Sequence, residues 1–273
     1  MKNIILLTTI FLSLFLFSCE EVVDVDLETA APKLVVDAAI NWEQGTDGAI
    51  QKIKLTTTTN YYSTSAPIVS GATVFVKNSS NTTFDFIEIP NTGEYVCNNF
   101  IPQIEEDYTL TVISNGQTYT ATETLKSVAS IEGIEQENDG GFIGDEIEIR
   151  AFFTDPTPEE NYYLFKYKYS NVVKLDYQVS DDKFFQGNLF FSLSNNENLQ
   201  PGDQVQVVHF GISQRYYNFM NILLSIAGNT GGSPFQSPPA TVRGNIINTT
   251  NFDNYALGYF RLSETDTENY VIQ

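Results

Sequence analysis

From residue 33 onward, apolar and polar side chains alternate with a period of two, which is the signature of half-buried strands. Leu34, Val36, Ala38 and Ile40 share one face. Ile53 and Leu55 sit between Lys52, Lys54 and Thr56, and Val74 and Val76 follow Gly71-Ala72. Phe84 and Phe86 keep the same rhythm, which breaks phase before Ile87 and Ile89, as at a bulge. Tyr108, Leu110 and Val112 alternate with Thr109 and Thr111, and Asn115-Gly116 makes a tight hairpin turn into residues 118–124. The pattern predicts about seven short strands between residues 33 and 126, the count and spacing of a β-sandwich.

The alternation weakens near 126–130, where a domain boundary is expected, and then resumes. Ile147, Ile149, Ala151 and Phe153 alternate with Glu146, Glu148 and Arg150. Asp155-Pro156-Thr157-Pro158 closes that strand. Tyr163, Phe165, Tyr167 and Tyr169 form an aromatic ladder opposite Lys166 and Lys168. Further strands are expected over 189–193, 204–210, 241–247 and 256–262. One stretch has helical spacing instead: Tyr216, Phe219, Met220, Leu223, Leu224 and Ala227, with Ser213 able to cap the start and Gly228 the end. The expected organisation is a β-sandwich over 31–127 and a second β-rich domain over 128–273 with a helix near 213–228. No internal repeat of fixed period is visible.

The N-terminus follows a different rule. Met1-Lys2-Asn3 carries the positive charge of a signal peptide, and residues 4–17 are apolar apart from Thr8, Thr9 and Ser13. That run is shorter than the roughly 20 residues a spanning helix needs. It ends in Leu16-Phe17-Ser18-Cys19, which resembles the bacterial lipobox, with Phe17 bulkier than the usual residue. The resemblance implies that residues 1–18 are removed and that Cys19 is acylated and becomes the new N-terminus. Residues 19–30 then form a tether, with acids at Glu20, Glu21, Asp24 and Asp26. Such a run resembles the surface-export signal of Bacteroidota lipoproteins. The expected location is the outer membrane, on the cell surface, with a periplasm-facing position as the alternative.

Composition narrows the chemistry. A formal charge of −20, from 14 basic and 34 acidic side chains, excludes nucleic acid as a partner, because phosphate binding needs a basic footprint. His209 is the single histidine, and it shares a strand face with Val205 and Val207. It reads as a packed structural residue, since no second His, Cys or adjacent carboxylate completes a metal site or a triad. Once Cys19 is lipidated, Cys97 has no thiol left to pair with and reads as a buried strand residue. Asn138-Asp139-Gly140-Gly141 with Asp145 and Glu146 offers oxygen atoms to calcium, but departs from the twelve-residue calcium loop and reads as an acidic turn. No nucleophile elbow, phosphate loop or dinucleotide fingerprint is present. Loop aromatics Tyr61, Tyr62 and Phe235 are the better candidates for an interface, while the 163–169 ladder reads as core.

Three stretches together resemble a known family. They are Leu34-Val35-Val36-Asp37; then Gly71-Ala72-Thr73-Val74-Phe75-Val76, Gly93-Glu94-Tyr95, Tyr108-Thr109-Leu110-Thr111-Val112 and Gly116-Gln117-Thr118-Tyr119; and finally Phe235, Pro238-Pro239, Arg243-Gly244-Asn245-Ile246 and Leu257-Gly258-Tyr259-Phe260. In this order they are similar to the DUF4249 family of Bacteroidota outer-membrane lipoproteins. The Gly-Ala-x-Val and Gly-x-Tyr strand openings are also similar to transthyretin-like sandwiches, so the N-terminal domain is expected to be Ig- or transthyretin-like. Gly71 and Gly93 suit turns with positive φ, and Gly244 and Gly258 suit close backbone approach. The resemblance supplies no catalytic residues and no cofactor. It implies a non-enzymatic lipoprotein that accompanies a TonB-dependent receptor in ligand binding or nutrient uptake. The alternatives are a surface adhesin or envelope scaffold, and an enzyme whose carboxylates converge only in the fold.

Overall fold

The structure is a computed structural model and describes residues 31–60, 63–141, 143–196, 198–227 and 242–273. Pro32–Gln273 forms a single compact unit. Seven strands make the first sandwich: β1 (Leu34–Glu43), β2 (Gln51–Thr57), β3 (Thr73–Asn78), β4 (Thr83–Ile89), β5 (Glu94–Cys97), β6 (Asp107–Ser114) and β7 (Gln117–Thr124). Their inward positions are those the alternation names: Val36, Ala38, Ile40, Ile53 and Leu55 are fully buried, facing Val76, Leu110 and Val112. Each such large side chain contributes roughly 1.5–3 kcal/mol on burial.

The phase break before Ile87 is where the sandwich turns its corner. Residues Phe84 and Phe86 of β4 pair with β3, whereas Ile87 and Ile89 pair with β5 in the opposite layer. Ile87 and Ile89 are left exposed as a result. A second corner is fixed by Tyr108. Its hydroxyl donates to the Ile101 carbonyl and accepts from the Gln103 N–H, each at 2.9 Å. This is the tyrosine-corner arrangement of immunoglobulin-like sandwiches. Burial pushes the Tyr108 hydroxyl up to about 12.

The second half adds β8 (Gly133–Gly140), β9 (Glu146–Thr154), β10 (Tyr162–Tyr169), β11 (Asp176–Asp181), β12 (Leu189–Asn196), β13 (Gln204–Ile212), helix α1 (Gln214–Ile226), β14 (Ile247–Asn248) and β15 (Leu257–Val271). Twelve strands run in the order β11-β10-β13-β15-β1-β2-β5-β4-β3-β6-β7-β14, and β12-β9-β8 form a separate three-stranded sheet. The small sheet covers one face of β10 and β13, and α1 covers the other. Strand β10 is therefore buried on both faces, including Tyr162 and Leu164 outside the aromatic ladder. Ser213 caps α1 as expected, accepting from the Tyr216 N–H at 3.2 Å. Gly228 lies outside the described residues.

Strand β15 joins the two halves. Its first part pairs in parallel with β1, Val35 opposite Leu257 through Glu43 opposite Thr265, and its second part pairs antiparallel with β13. Ile246, Ala256, Phe260 and Leu262 thus complete the core of the first sandwich. The expected division at 127/128 is for that reason not a division of the core: the segment 246–262 belongs with residues 34–125. Nor is 126–131 a free linker. The Val128 N–H donates to Glu264 Oε2 at 2.9 Å, the Ile131 N–H to Asp266 Oδ2 at 2.6 Å, and the Glu264 N–H to the Lys126 carbonyl at 2.8 Å. Two charge-assisted bonds and one backbone bond from β15 thus clamp the crossing segment.

Candidate functional site

The candidate residues read from the sequence separate into buried structural groups and residues outside the described chain. Cys19, the tether, Tyr61, Tyr62, Phe235 and Pro238-Pro239 lie outside the described residues. Cys97 is 1% exposed at the end of β5, and burial pushes its thiol upward. His209 is fully buried, stacked on Phe165 at 4.1 Å and flanked by Phe153 and Tyr163. Neither ring nitrogen reaches a hydrogen-bond partner at normal geometry. Burial drives the imidazole down to about 3, against the opposing influence of the Ala129 backbone. Tyr163, Phe165, Tyr167 and Tyr169 pack in the second core and present no face to a ligand.

The ladder does anchor one buried polar group. The Tyr163 hydroxyl donates to Asp155 Oδ1 at 2.5 Å, and the Gly187 N–H donates to Asp155 Oδ2 at 2.9 Å. Asp155 is 2% exposed, so these two donors stand in for water. Burial, with Asp155 alongside, raises the Tyr163 hydroxyl well above the usual tyrosine range. The arrangement ties the end of β9 to the loop before β12 and is closed to solvent. At the β8–β9 hairpin, Asn195 Nδ2 bonds Glu146 and Gln136 Nε2 bonds Asn138. Among the described residues, no group of three metal-ligating side chains converges.

The surface feature with distinctive chemistry lies elsewhere, where the chain enters β1 and β15. Lys33 Nζ stands 3.6 Å from the centroid of the Tyr255 ring, and Arg243 Cζ stands 3.9 Å from the same centroid. Lys33 is held there because its backbone closes the end of β2: its N–H donates to Thr58 Oγ1, and the Thr58 N–H donates back to its carbonyl. Arg243 is placed by the neighbouring Gly244, which lies against Gly258 of β15. Among the described residues no carboxylate pairs with either cation, in a chain that has more than two acids for each base. The ring face offsets part of their mutual repulsion. Beside them is a depression of about 110 Å³, bordered by Arg243, Ile247, Asn248, Phe252 and Tyr255. Ile247 and Phe252 are 53% and 71% exposed. Such a site offers positive charge and apolar surface together, and suits an anionic group attached to an apolar body. The alternation that located the strands says nothing about it. The available signal was Arg243 itself, the one charged side chain between Arg215 and Asp253.

Two other open depressions, of about 260 and 220 Å³, adjoin each other around Asn269, beside Gln204 and Gln206 in one case and Glu132 and Glu268 in the other.

No curated protein matches the chain. Among solved structures it overlaps a two-domain fibronectin type-III segment from chicken tenascin, at 14% identity over 66% of this chain and 90% of that one, with a TM-score of 0.22. It overlaps the FN1–FN3 domains of chicken CNTN1 at 14% identity, over 60% of this chain and 56% of that one, TM-score 0.23. A DUF4785 family protein from Legionella pneumophila overlaps at 6% identity, over 65% and 52% of the two chains, TM-score 0.27. At these TM-scores the overlays add nothing to the strand order and register. The family comparison does: the model for a domain of unknown function, DUF4249, matches residues 20–269, which takes in the first buried core, all of the second but Ile272, and the β15 strand that joins them as far as Asn269. The chain belongs to the DUF4249 family.

Proposed function

We propose that the protein is a non-enzymatic outer-membrane lipoprotein, anchored through Cys19 and displayed at the cell surface, that assists a TonB-dependent receptor in ligand binding or nutrient uptake. The observation that carries the reading is the sequence Leu16-Phe17-Ser18-Cys19 followed at once by an acidic run and then by a β-rich body. The family match, which starts at residue 20, directly after that cysteine, is in keeping with it. An acylated Cys19 would hold the body at the bilayer, although one acyl chain alone binds only marginally and more than one is needed for stable anchorage.

The test is a crosslinked pull-down of the tagged, full chain from its native outer membrane, read by mass spectrometry. A TonB-dependent receptor that dominates the recovered proteins supports the reading. Its reproducible absence, with soluble or extracellular molecules recovered instead, overturns the receptor role and favours an adhesin. Replacing Cys19 by alanine should release the protein from the membrane fraction, and unchanged retention would overturn the anchor.

A further inference from the structure

We propose that the end of the first sandwich carrying Lys33, Arg243 and Tyr255 is a docking face for the anionic phosphate layer of the membrane that holds the anchor. This inference rests on the lipid-anchor reading and adds to it the orientation of the body.

Strand register gathers this pole from distant parts of the chain. Leu34 opposite Thr57 and Val35 opposite Leu257 bring the starts of β1 and β15 to the end of β2. Ile89 opposite Glu94 brings the end of β4, and Thr73 opposite Ile113 brings the end of β6. Asn248 opposite Tyr119 adds β14. The segments that meet here are unusual for so acidic a chain. Residues 55–60, 63–76, 89–93, 108–122 and 244–252 contain no charged side chain. Asp253 is the acid within the pole, and Glu94, one step inside, is paired with Lys52 and Lys54. Glu88, also inside, accepts from the Gly71 N–H at 2.8 Å. At the opposite end of the sandwich the balance is reversed: Glu43, Asp47, Glu105, Glu106 and Asp107 cluster at the strand ends.

Exposed apolar side chains occur at both ends, Ile50 and Ile101 at the acidic one, but only at the other do they stand beside cations and away from clustered acids: Ile68 (46%), Ile89 (45%), Ile113 (39%), Ile247 (53%) and Phe252 (71%). Cations among exposed apolar and aromatic side chains fit a headgroup interface, where the apolar groups enter the acyl boundary and Lys and Arg meet phosphate. A chain of net charge −20 is repelled as a whole by an anionic surface, so the approach that costs least is with the face poorest in acids. The anchor joins the body on the side of Lys33. Lys33 opens this pole, and at roughly 3.5 Å per residue the fourteen steps from Cys19 to Lys33 keep the lipid within about 50 Å of it.

The chain contains its own reference point. Trp42, the single tryptophan, lies near the far end of β1, nine residues from Lys33 and therefore about 30 Å away along the strand. The experiment uses full-length lipidated protein in vesicles of phosphatidylcholine and phosphatidylglycerol with dibrominated acyl chains. Two single-tryptophan forms are compared: the native chain, and W42F/F252W. Interfacial side chains enter the bilayer by about 5–10 Å, so quenching at position 252 should exceed that at Trp42 about threefold or more. Adding K33E and R243E should remove most of the difference. Equal quenching at the two positions, in protein that still floats with the vesicles, overturns the docking face and leaves the anchor intact. Native protein that floats no better than its C19A variant overturns the anchor reading instead. Preferential quenching that survives K33E/R243E overturns the role given to the two cations.

Discussion

Gly244 lies so close to Gly258 that a Cβ on Gly244 would stand 1.7 Å from the Gly258 carbonyl oxygen. Gly258 in turn has φ of +95°, and a Cβ there would stand 2.0 Å from the Val36 carbonyl oxygen. Three backbone segments are stacked where β1, β15 and the Arg243 segment meet, so a Cβ at either glycine must displace backbone. Alanine at either glycine should therefore cost about 2–4 kcal/mol, through displaced backbone at Gly244 and through displaced backbone with left-handed strain at Gly258. For a body of this size that corresponds to a fall in Tm of roughly 4–16 °C. Thermal unfolding of G244A and G258A, beside G133A as a control with open space around its Cβ and no positive φ, checks the expectation. A G244A melting curve that overlays the native one would rule out the stacking.

Asn245, the next residue, behaves as a substitute strand. Its Nδ2 donates to the Phe260 carbonyl at 2.8 Å, and its Oδ1 accepts from the Phe260 N–H at 2.9 Å. Phe260 is fully buried, so its backbone has no water to fall back on. N245A should leave a buried donor and a buried acceptor unpaired and cost about 2–4 kcal/mol. N245D keeps the acceptor but sets a carboxylate oxygen against the Phe260 carbonyl, and should be no more stable than N245A. Urea unfolding of the three proteins measures the order.

The contrast between what the chain reveals and what it hides follows from the range of the interactions. The first sandwich is legible because period-two alternation is local: Val36, Leu110 and Val112 announce their own faces, and Ser213 announces the helix start. Gly71 and Gly93 also take the positive φ expected of them. The C-terminal strand is not legible in the same way. Expected over 256–262, it continues to Val271 through Ser263-Glu264-Thr265-Asp266-Thr267-Glu268, which reads as loop. Those residues are held as strand by neighbours far away in sequence, with β1 on one side and β13 on the other. Ser263 and Thr265 are buried there, Thr265 donating to Glu43 Oε2 at 2.7 Å. Strand β11 was missed for a related reason: all six of its residues are half-buried, so no face stands out. The Lys33–Tyr255–Arg243 cluster joins residues more than 200 positions apart, and only the parallel β1–β15 register brings them together.

Cys97 offers a test of the first core that needs no mutation. It is 1% exposed, its Sγ contacts Asn99 Oδ1 at 3.2 Å, and burial raises its pKa, which lowers the fraction of reactive thiolate. In the native protein it should resist iodoacetamide at neutral pH. Addition of denaturant should release it at the midpoint of global unfolding, because β5 lies inside the sandwich. Rapid alkylation of Cys97 under native conditions would show that the β5 end opens independently of the core.

The last prediction concerns pH. His209 is neutral in the fold, with a pKa near 3, while in the unfolded chain it titrates near 6.5. Above about pH 6.5 it is uncharged in both states, and its neutral burial contributes in full. Between that value and about 3 the unfolded state binds a proton that the folded state refuses, so stability falls as pH falls. The slope that His209 adds approaches about 1.4 kcal/mol per pH unit well inside the window. Neither ring nitrogen reaches a hydrogen-bond partner at normal geometry, and the Ala129 backbone is the one polar group that acts on the ring, so phenylalanine can take over the stacking on Phe165 at the loss of that contact alone. H209F should therefore lie within about 1.5 kcal/mol of the native chain at neutral pH. Its advantage over the native chain should then grow as the pH is lowered towards 4.5. Urea unfolding of both proteins across that range isolates the histidine, since the carboxylates titrate alike in each. A gap between the two proteins that stays constant with pH would mean that His209 is solvated or protonated in the folded state.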